Sequence, residues 1–451
     1  MLDVVTPEEM AAIDAAAPEP VEILVERAGG AVARAALGLL GGTYGRRVVV
    51  VAGPGNNGAD GRVAGVRLAR RGAHVIVVEA GTSGSLPPAD LVIDAAYGTG
   101  LSRPYTAPDP GGARVLAVDI PSGVHGLTGR VLGSAMRADR TVTFAALKPG
   151  LLLREGRELA GRIEVADIGL DTARRTMTLV EDRDLDAWPL RPADAHKYHA
   201  SVWVIGGSPD MTGAPTLAAR GAFRAGSGYV RLSVPGAERH PADPVEAVGA
   251  PLPAAGWAGP VLEDLDRIRA LVVGPGLGRD DSVRSEVGRL LGAPRGPIVV
   301  DGDGLWALAQ WGGSVVDGHR VVLTPHDGEL RTLLGRELGE DRIADARELA
   351  GRLGVTVLTK GRTTVVAGPT GEVRFVTSGD ARLATAGTGD VLAGMVGALL
   401  AGGLSPLDAA ALAAHAHGRA ARLGRRIGLV ASDLPDLLSQ VLDTGRGGWR
   451  L

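Results

Sequence analysis

Short apolar runs alternate with longer segments of helical period along most of the chain. Runs of strand length occur at Arg47–Ala52, His74–Glu79, Leu91–Ala95, Val115–Asp119 and Thr141–Phe144. Apolar spacing of a helical kind occupies Ile23–Leu40 and Arg62–Arg71. The rhythm resumes with strands predicted at Ser201–Ile205, Tyr229–Val234, Ala270–Val273, Pro297–Asp301, Arg320–Thr324, Val355–Thr359, Thr363–Ala367 and Val373–Val376. Helices are predicted at Ala214–Ala225, Asp341–Leu353, Asp390–Ala401 and Pro406–Leu423. Such alternation predicts α/β layers on mostly parallel sheets. The charged, Pro-containing stretch Leu170–Ala195 breaks the rhythm, so the boundary is placed there: one α/β domain over 1–170, a linker over 171–195 and a second α/β domain over 196–451. No short fixed-period repeat is present.

Composition narrows the partners. The 451 residues carry a net charge of −3 with no basic stripe, which predicts neither nucleic acid nor an anionic membrane as partner. There is no cysteine, which excludes disulfides, thiolate nucleophiles, Zn–Cys sites and Fe–S clusters. The start, M-L-D-V-V-T-P-E-E-M, lacks the parts of a signal peptide, and no uninterrupted apolar run reaches membrane length. The expectation is a soluble cytoplasmic protein acting on small molecules.

Two depletions point to particular positions. Of the 48 Lys and Arg residues only Lys148, Lys197 and Lys360 are Lys, and Asn56 and Asn57 are the only asparagines. A compact ammonium and a planar guanidinium are not interchangeable, so surviving lysines mark places where Arg does not fit. The asparagines stand in G-P-G-N-N-G-A-D-G, after a strand and before a helix. A Gly-rich turn at a helix N-terminus suits an anion, although this one lacks both G-x-G-x-x-G and the Walker Lys. Three further strand ends carry D-A-A-Y-G-T-G-L-S-R-P from Asp94, V-D-I-P-S-G-V from Val118, and T-F-A-A-L-K-P-G with Lys148. Sites in open α/β sheets form beyond the carboxyl ends of strands. Asp94, Asp119, Asn57 and Ser122 would form an oxygen-rich set suited to a hard cation; a turn cap is the lesser reading of either Asp alone, and weaker still for the set.

With L-V-E-R-A-G-G-A-V-A, these motifs resemble the NAD(P)H-hydrate epimerase domain over roughly 1–170. The resemblance implies a Rossmann-like three-layer fold. It implies substrate contacts at Asn56, Asn57, Gly58, Ala59, Asp60, Gly98, Thr99, Gly100, Leu101, Ser102, Arg103 and Pro104, and also at Asp119. It further implies a potassium ion at Asn57, Asp94 and Ser122, with Asp119 as acid/base and Lys148 as its charge partner. Two features depart from that family. Ala59 replaces a usual Gly and requires an unstrained φ. The connections Ala80–Ala89 and Tyr105–Ala113 are short, so that sheet face is expected to be exposed or covered by a partner.

The second half carries A-T-A-G-T-G-D-V-L-A-G-M, where Gly-Thr-Gly opens an apolar helix behind Asp390. The amides Gly387, Thr388 and Gly389 make an anion hole, and a carboxylate there makes sense as the base for a hydroxyl attacking bound phosphate. A lone Asp in a first helical turn is otherwise common. With V-I-G-G-S-P-D-M-T-G-A-P, V-V-G-P-G-L-G, D-G-D-G, L-T-P-H-D-G-E and T-K-G-R-T-T, the segment 194–451 resembles ADP-dependent NAD(P)H-hydrate dehydratases of the ribokinase-like superfamily. That implies hydrate contacts at Ala214, Gly276, His326 and Asp390. It implies nucleotide contacts at Lys360, Gly361, Arg362, Thr363, Thr364 and Gly389, with ADP, or alternatively ATP, as phosphoryl donor beside Mg²⁺. The implied chemistry is phosphorylation of the hydrate hydroxyl, loss of phosphate to restore the dihydropyridine, and release of AMP. The two halves together imply a homo-oligomeric enzyme of nicotinamide nucleotide repair. A ribokinase-class kinase of a vitamin-precursor alcohol shares G-T-G-D but leaves the first half unexplained. A third reading keeps the dehydratase and gives the first half only a nucleotide-binding role. His415 and His417, at i, i+2 in H-A-H-G, fall on different helix faces and do not form a shared metal site. Lys197 stands in H-K-Y where the family has H-K-G, and no role is assigned to it.

Overall fold

The computed structural model describes residues 1–444 apart from 83, 174, 209–210, 238–243, 294–295 and 317, so the Pro209–Asp210 pair of the S-P-D-M motif lies outside the described residues. The chain divides into two compact units, Leu2–Met177 and Thr178–Leu451, with Met1 belonging to the second.

The first unit contains β1 (Leu2–Val4), α1 (Pro7–Ala15), α2 (Val21–Leu40), β2 (Arg47–Ala52), α3 (Asn56–Ala69), β3 (His74–Glu79), β4 (Leu91–Ala95), β5 (Arg114–Val118), β6 (Arg140–Phe144), α4 (Arg154–Leu159) and β7 (Arg162–Ala166). Its six-stranded sheet has the order β3-β2-β4-β5-β6-β7, parallel throughout. Alternation along β2 sends Val48 and Val50 to one face and Val49 and Val51 to the other, and both faces are buried. On the first face, Ala28, Val32, Ala36, Ala64 and Leu68 bring α2 and α3 against the sheet. The residues Asn56–Gly61, read as loop from their glycines, are helical and open α3. Gly58, Gly61 and Gly65 are buried there and let the helix lie close on the strands. Ala59 therefore has ordinary helical geometry and is not among the non-Gly residues of positive φ.

On the opposite face the edge strand β3 stays open, with Ile76 48% exposed, while the central strands are covered by chain that is not helical. Extended chain crosses it where the short connections run, and Leu86, Leu101, Tyr105 and Met136 are buried against Val49, Val51, Val92 and Val115. Tyr105 packs edge-on to Tyr97 with ring centroids 5.1 Å apart. A few large side chains thus hide the apolar surface that a helix would have hidden.

The second unit contains β8 (Met177–Leu179), β9 (Ser201–Ile205), α5 (Gly213–Arg224), β10 (Tyr229–Ser233), β11 (Val248–Gly249), α6 (Ala258–Glu263), β12 (Ala270–Val273), α7 (Asp281–Leu291), β13 (Ile298–Val300), α8 (Asp303–Trp311), β14 (Val321–Leu323), α9 (Asp327–Leu334), α10 (Arg342–Leu353), β15 (Thr356–Thr359), β16 (Thr364–Ala367), β17 (Val373–Val376), α11 (Thr388–Ala401), α12 (Pro406–Leu423) and α13 (Leu434–Thr444). Within this unit the strands run β8-β17-β16-β15-β14-β13-β12-β9-β10-β11. Pairing is parallel from β15 through β11, while β15-β16 and β16-β17 are antiparallel. The nearly all-apolar α11 and the Ala-rich α12 fill the core beside α5. The segment read as a linker contributes to this core: Val180, Leu185 and Trp188 are buried in it, and the Trp188 indole N–H donates to the Ala225 carbonyl at 3.1 Å.

Candidate active sites

In the first unit, the carboxyl ends of β2, β4 and β5 open onto a cleft of about 660 Å³. Of the residues expected to meet substrate, Asn56, Asn57, Asp60, Gly98, Thr99, Gly100, Leu101, Ser102, Arg103 and Asp119 line it, as does Lys148. Gly58, Ala59 and Pro104 do not line it; Gly58 is buried behind the turn and Pro104 is exposed.

Asp119 leaves β5 with φ at +67°, a conformation few side chains adopt. Its amide donates to the Val142 carbonyl at 2.7 Å. Its Oδ1 accepts from Lys148 Nζ at 2.7 Å and from Thr143 Oγ1 at 3.1 Å, and its Oδ2 from the Thr99 amide at 3.3 Å. Lys148 is 1% exposed and also donates to Thr143 Oγ1 and the Phe144 carbonyl, both at 3.0 Å. Burial opposes ionisation of Asp119, but the Lys148 ammonium, with the Thr99 and Thr143 donors, overrides it and holds the carboxyl below its ordinary range. Asp60 goes the other way: burial, then the charges of Asp119 and Asp14, push it up to about 8. The cleft therefore holds one stably ionised carboxylate and one carboxyl that keeps its proton near neutrality.

Behind the cleft, Asp94 and Ser122 are buried. The Ser122 amide donates to Asp94 Oδ2 at 2.9 Å, and its hydroxyl bridges the Tyr97 amide and carbonyl at 2.9 and 3.1 Å. Asp94 Oδ1 and both side-chain heteroatoms of Asn57 are buried without partners. Orphaned polar atoms of this kind are costly unless something completes them. Gly98 is where the parts converge. A Cβ there would lie 3.0 Å from Asp119 Oδ2 and 3.5 Å from Asn57 Oδ1. Gly98→Ala is therefore expected to lower turnover at this site at least about 10-fold by displacing Asp119. Steady-state assays would read it, and an unchanged rate would show that the loop has room to give.

In the second unit, Gly387 takes the left-handed conformation (φ +88°) that turns the chain into α11, and Asp390 falls in the first turn. Lys360 Nζ donates to Asp301 Oδ1 at 2.8 Å and lies 3.9 Å from Glu329. Thr324 Oγ1 donates to the same Asp301 oxygen at 2.7 Å. Gly389 faces this group, since a Cβ on it would stand 3.3 Å from Lys360 Nζ and 3.8 Å from Asp301 Oδ2. Burial first, then the charges of Asp301 and Asp303 against that of Lys360, push Asp390 up to about 7. Burial lowers the Lys360 pKa, but Asp301 and Glu329 outweigh it and hold the ammonium protonated.

The remaining expected contacts are distributed around this group. Ala214 and Gly276 are neighbours, with 3.2 Å between the Ala214 Cβ and a Cβ built on Gly276. His326 caps α9: its Nδ1 accepts from the Glu329 amide at 3.1 Å, while Glu329 Oε2 accepts from the His326 amide at 2.8 Å. That fixes the Nε2–H tautomer, and the ring borders a small recess with Arg279, Trp306 and Thr332. Gly361, Arg362 and Thr363 form the β15–β16 turn, and Thr364 begins β16. Arg342 Nη2 donates to the Lys360 carbonyl at 2.7 Å and steadies that turn, while Arg362 is exposed. Lys197 instead stands over the rings of Tyr198 and Tyr229, at 5.1 and 5.9 Å from their centroids.

Sequence reasoning quoted D-G-D-G but gave Asp301 no role, although its place at the end of β13 follows the strand-end rule used for Asp94 and Asp119. Glu329 was visible only as part of a motif. Asp14, on α1 in the first cleft, had no periodic signal, because the helix carrying it buries only Met10.

Each unit thus pairs a strand-end Asp with a Lys, buried at Lys148 and half-buried at Lys360, and the second adds a glycine-hinged helix N-terminus. This is the layout of a two-domain α/β enzyme. The profile described as NAD(P)H-hydrate dehydratase matches residues 202–443, and that described as YjeF-related protein N-terminus matches 21–85 and 78–150. The chain belongs to the bifunctional NAD(P)H-hydrate repair enzyme family. Relatives so described include proteins of Salinibacter ruber (37% identical; 87% of this chain and 87% of the relative) and Thermofilum pendens (37%; 78% and 77%). Another is from Mycobacterium tuberculosis (39%; 74% of each chain). Among solved structures, an ADP/ATP-dependent NAD(P)H-hydrate dehydratase from Bacillus subtilis, co-crystallised with ATP/Mg²⁺, is 29% identical with a TM-score of 0.51, covering 59% of this chain and 98% of that one. A ribokinase-like superfamily protein from Enterococcus faecalis, 22% identical with a TM-score of 0.55 over 61% of this chain and 98% of that one, shares the fold.

Proposed function

We propose that the protein repairs hydrated NADH and NADPH with two sites: the first interconverts the R and S hydrates, and the second dehydrates the S hydrate at the expense of ADP, with ATP as an alternative donor. The observation that carries the second activity is Asp390 in the first turn of α11, beside the Gly389 that borders Lys360 and Asp301, with its carboxyl pushed up to about 7. A base with that affinity takes a proton from a hydroxyl at working pH and releases it again. Asp390 would deprotonate the hydrate hydroxyl as it attacks the terminal phosphorus of ADP. The ring nitrogen's electron pair then expels the ester as inorganic phosphate, a far better leaving group than hydroxide, and the neighbouring ring carbon gives up a proton to solvent to form the C=C, with AMP as the other product. The amides at Gly387–Gly389 and the Lys360 ammonium would stabilise the charge on the transferring group. Ala214, Gly276 and His326 would hold the hydrate, and Lys360–Thr364 the nucleotide.

Among the described residues no group of three or more His, Asp or Glu side chains is placed to hold a metal ion. Mg²⁺ would accompany the nucleotide and screen the charge of its phosphates.

In the first site, Asp119 would act as acid/base at the hydrated ring carbon. Lys148 and Thr143 hold its Oδ1, which leaves Oδ2 toward the Thr99 amide and the cleft. Asn57 Oδ1, Asp94 Oδ1 and the Ser122 hydroxyl offer oxygen ligands for K⁺, and the orphaned Asn57 and Asp94 atoms fit such an ion. A bound K⁺ would supply a fixed positive charge near the start of α3.

Among the described residues no helix is long and apolar enough to cross a membrane. We place the enzyme in the cytoplasm, as a homo-oligomer acting on its two nucleotides.

The test supplies each pure hydrate with ADP and Mg²⁺ and follows return of dihydronicotinamide absorbance. Recovery from both hydrates supports both activities. Recovery from the S form alone removes the epimerase half. No recovery, with phosphorylation of a vitamin-type alcohol instead, removes the reading.

A further inference from the structure

The recess beside His326 lies between α8 and the start of α9 and has a volume of about 210 Å³. Sites for a whole small molecule run to ~300–1,000 Å³, so this one fits part of a ligand. Trp306 on α8 and His326 and Thr332 at α9 form its walls, and Arg279 borders it, three residues after Gly276.

Arg279 is held in place. Its Nε donates to Asp303 Oδ1 at 2.8 Å, and Asp303, 8% exposed, is itself fixed by the Gly278 amide on Oδ2 at 2.9 Å. Among the described residues nothing accepts from the two Nη groups. The carboxylates around the recess are already matched: Asp303 by Arg279, Asp327 by Arg342, and Glu329 by Lys360 at 3.9 Å and by the His326 amide. The Thr332 hydroxyl gives its proton to the Gly328 carbonyl at 3.1 Å. His326 Nε2 is 3.6 Å from Glu329 Oε1, too far for a hydrogen bond. The donors left at the recess are therefore the Arg279 fork and the His326 Nε2–H. Trp306, one turn along α8 from Asp303, adds a half-buried ring.

We infer that this recess is the far end of the hydrate site in the second unit: it takes a phosphate of the dinucleotide on the Arg279 fork, with the Trp306 ring against the sugar or base beside that phosphate. Two arguments support this. The first is continuity. A Cβ on Gly276 would stand 3.2 Å from the Ala214 Cβ, and the short stretch from Gly276 to Arg279 joins that end to the recess bordered by His326. The second is charge. A planar guanidinium matches two phosphate oxygens at once, and this one has its Nη ends free and its Nε anchored, so little freedom is lost on binding. Lys360 is already committed to Asp301 at 2.8 Å. Two phosphates of the substrate fit the fork: the diphosphate bridge, present in both hydrates, and the 2′-phosphate, present only in the NADPH hydrate.

The inference rests on the reading of the second site as one for the S hydrate, so its test reads binding without turnover. All six tryptophans lie outside the first unit, so their emission reports on the second. On the full chain without ADP, the S hydrates of NADH and NADPH are each titrated against that emission. Arg279→Met is expected to raise the dissociation constant about 10- to 100-fold. Arg279→Lys keeps a charge beside Asp303 but loses the fork, and should raise it at least about 3-fold. With ADP and Mg²⁺ the same losses should appear in KM, with kcat within about 3-fold of wild type. A loss confined to the NADPH hydrate assigns the fork to the 2′-phosphate, and an equal loss for both hydrates assigns it to the diphosphate; either supports the inference. Weakened binding in Arg279→Met, with no turnover in wild type, would leave the subsite standing and remove the dehydratase reading. Wild-type affinity in both Arg279 variants, losses that merely follow their melting temperatures, or an emission change that survives intact in Trp306→Phe would overturn it.

Discussion

Asp390→Asn is expected to lower ADP-dependent dehydration of the S hydrate by at least about 10²-fold while ADP affinity stays within a few-fold. The side chain nearly keeps its shape, so the turn into α11 and its amides persist, and only the proton acceptor is lost. Wild-type pH dependence supplies a second signature. Burial and the charges of Asp301 and Asp303 raise the carboxyl to about 7. A base works when ionised, so the rate should climb as pH rises through about 7 and level off above it. Turnover of Asp390→Asn near that of wild type would remove Asp390 as the base. A wild-type profile flat between about pH 6 and 8 would place its titration elsewhere.

Asp119→Asn is expected to abolish use of the R hydrate and to spare use of the S hydrate, because the change touches only the first unit. Its partner tests stability rather than chemistry. Lys148→Met leaves the Asp119 carboxylate buried without a counter-charge, a loss of about 3–5 kcal/mol from that unit. The sign with pH follows from the depressed Asp119 value. In wild type the ionised pair contributes fully above the unfolded carboxylate range near 4, and the contribution is lost as acid carries the pH down through the folded value. Denaturant midpoints across that range should show the slope in wild type and not in Lys148→Met. Equal slopes would mean that the pair does not couple to folding.

Much of this was legible in the sequence because the responsible signals are local. Strands buried on both faces read as plain apolar runs, and those at Arg47–Ala52 and Leu91–Ala95 have the predicted bounds, as does the exposed edge strand His74–Glu79, whose run is equally apolar. Depletion was equally informative: Lys148 and Lys360, two of three lysines, pair with the buried carboxylates Asp119 and Asp301. What escaped depends on contacts distant in sequence. The glycines of Asn56–Gly61 suggested a loop, but they serve close packing of a helix on strands. Asp119 was read as the end of its strand, and its positive φ comes from the turn that follows β5.

The covering chain in the first unit has a consequence for how this domain can change over generations. Gly98 to Arg103 line the cleft, and the same stretch continues directly into Tyr105, which is pinned to the sheet. A helix would have separated these duties, leaving its buried side free to drift without disturbing the cleft. Here a change at Leu101 or Tyr105 pulls on the residues beside Asp119, so substitutions accepted for packing alone are filtered a second time by chemistry. The shorter domain has less sequence and also less freedom to vary it.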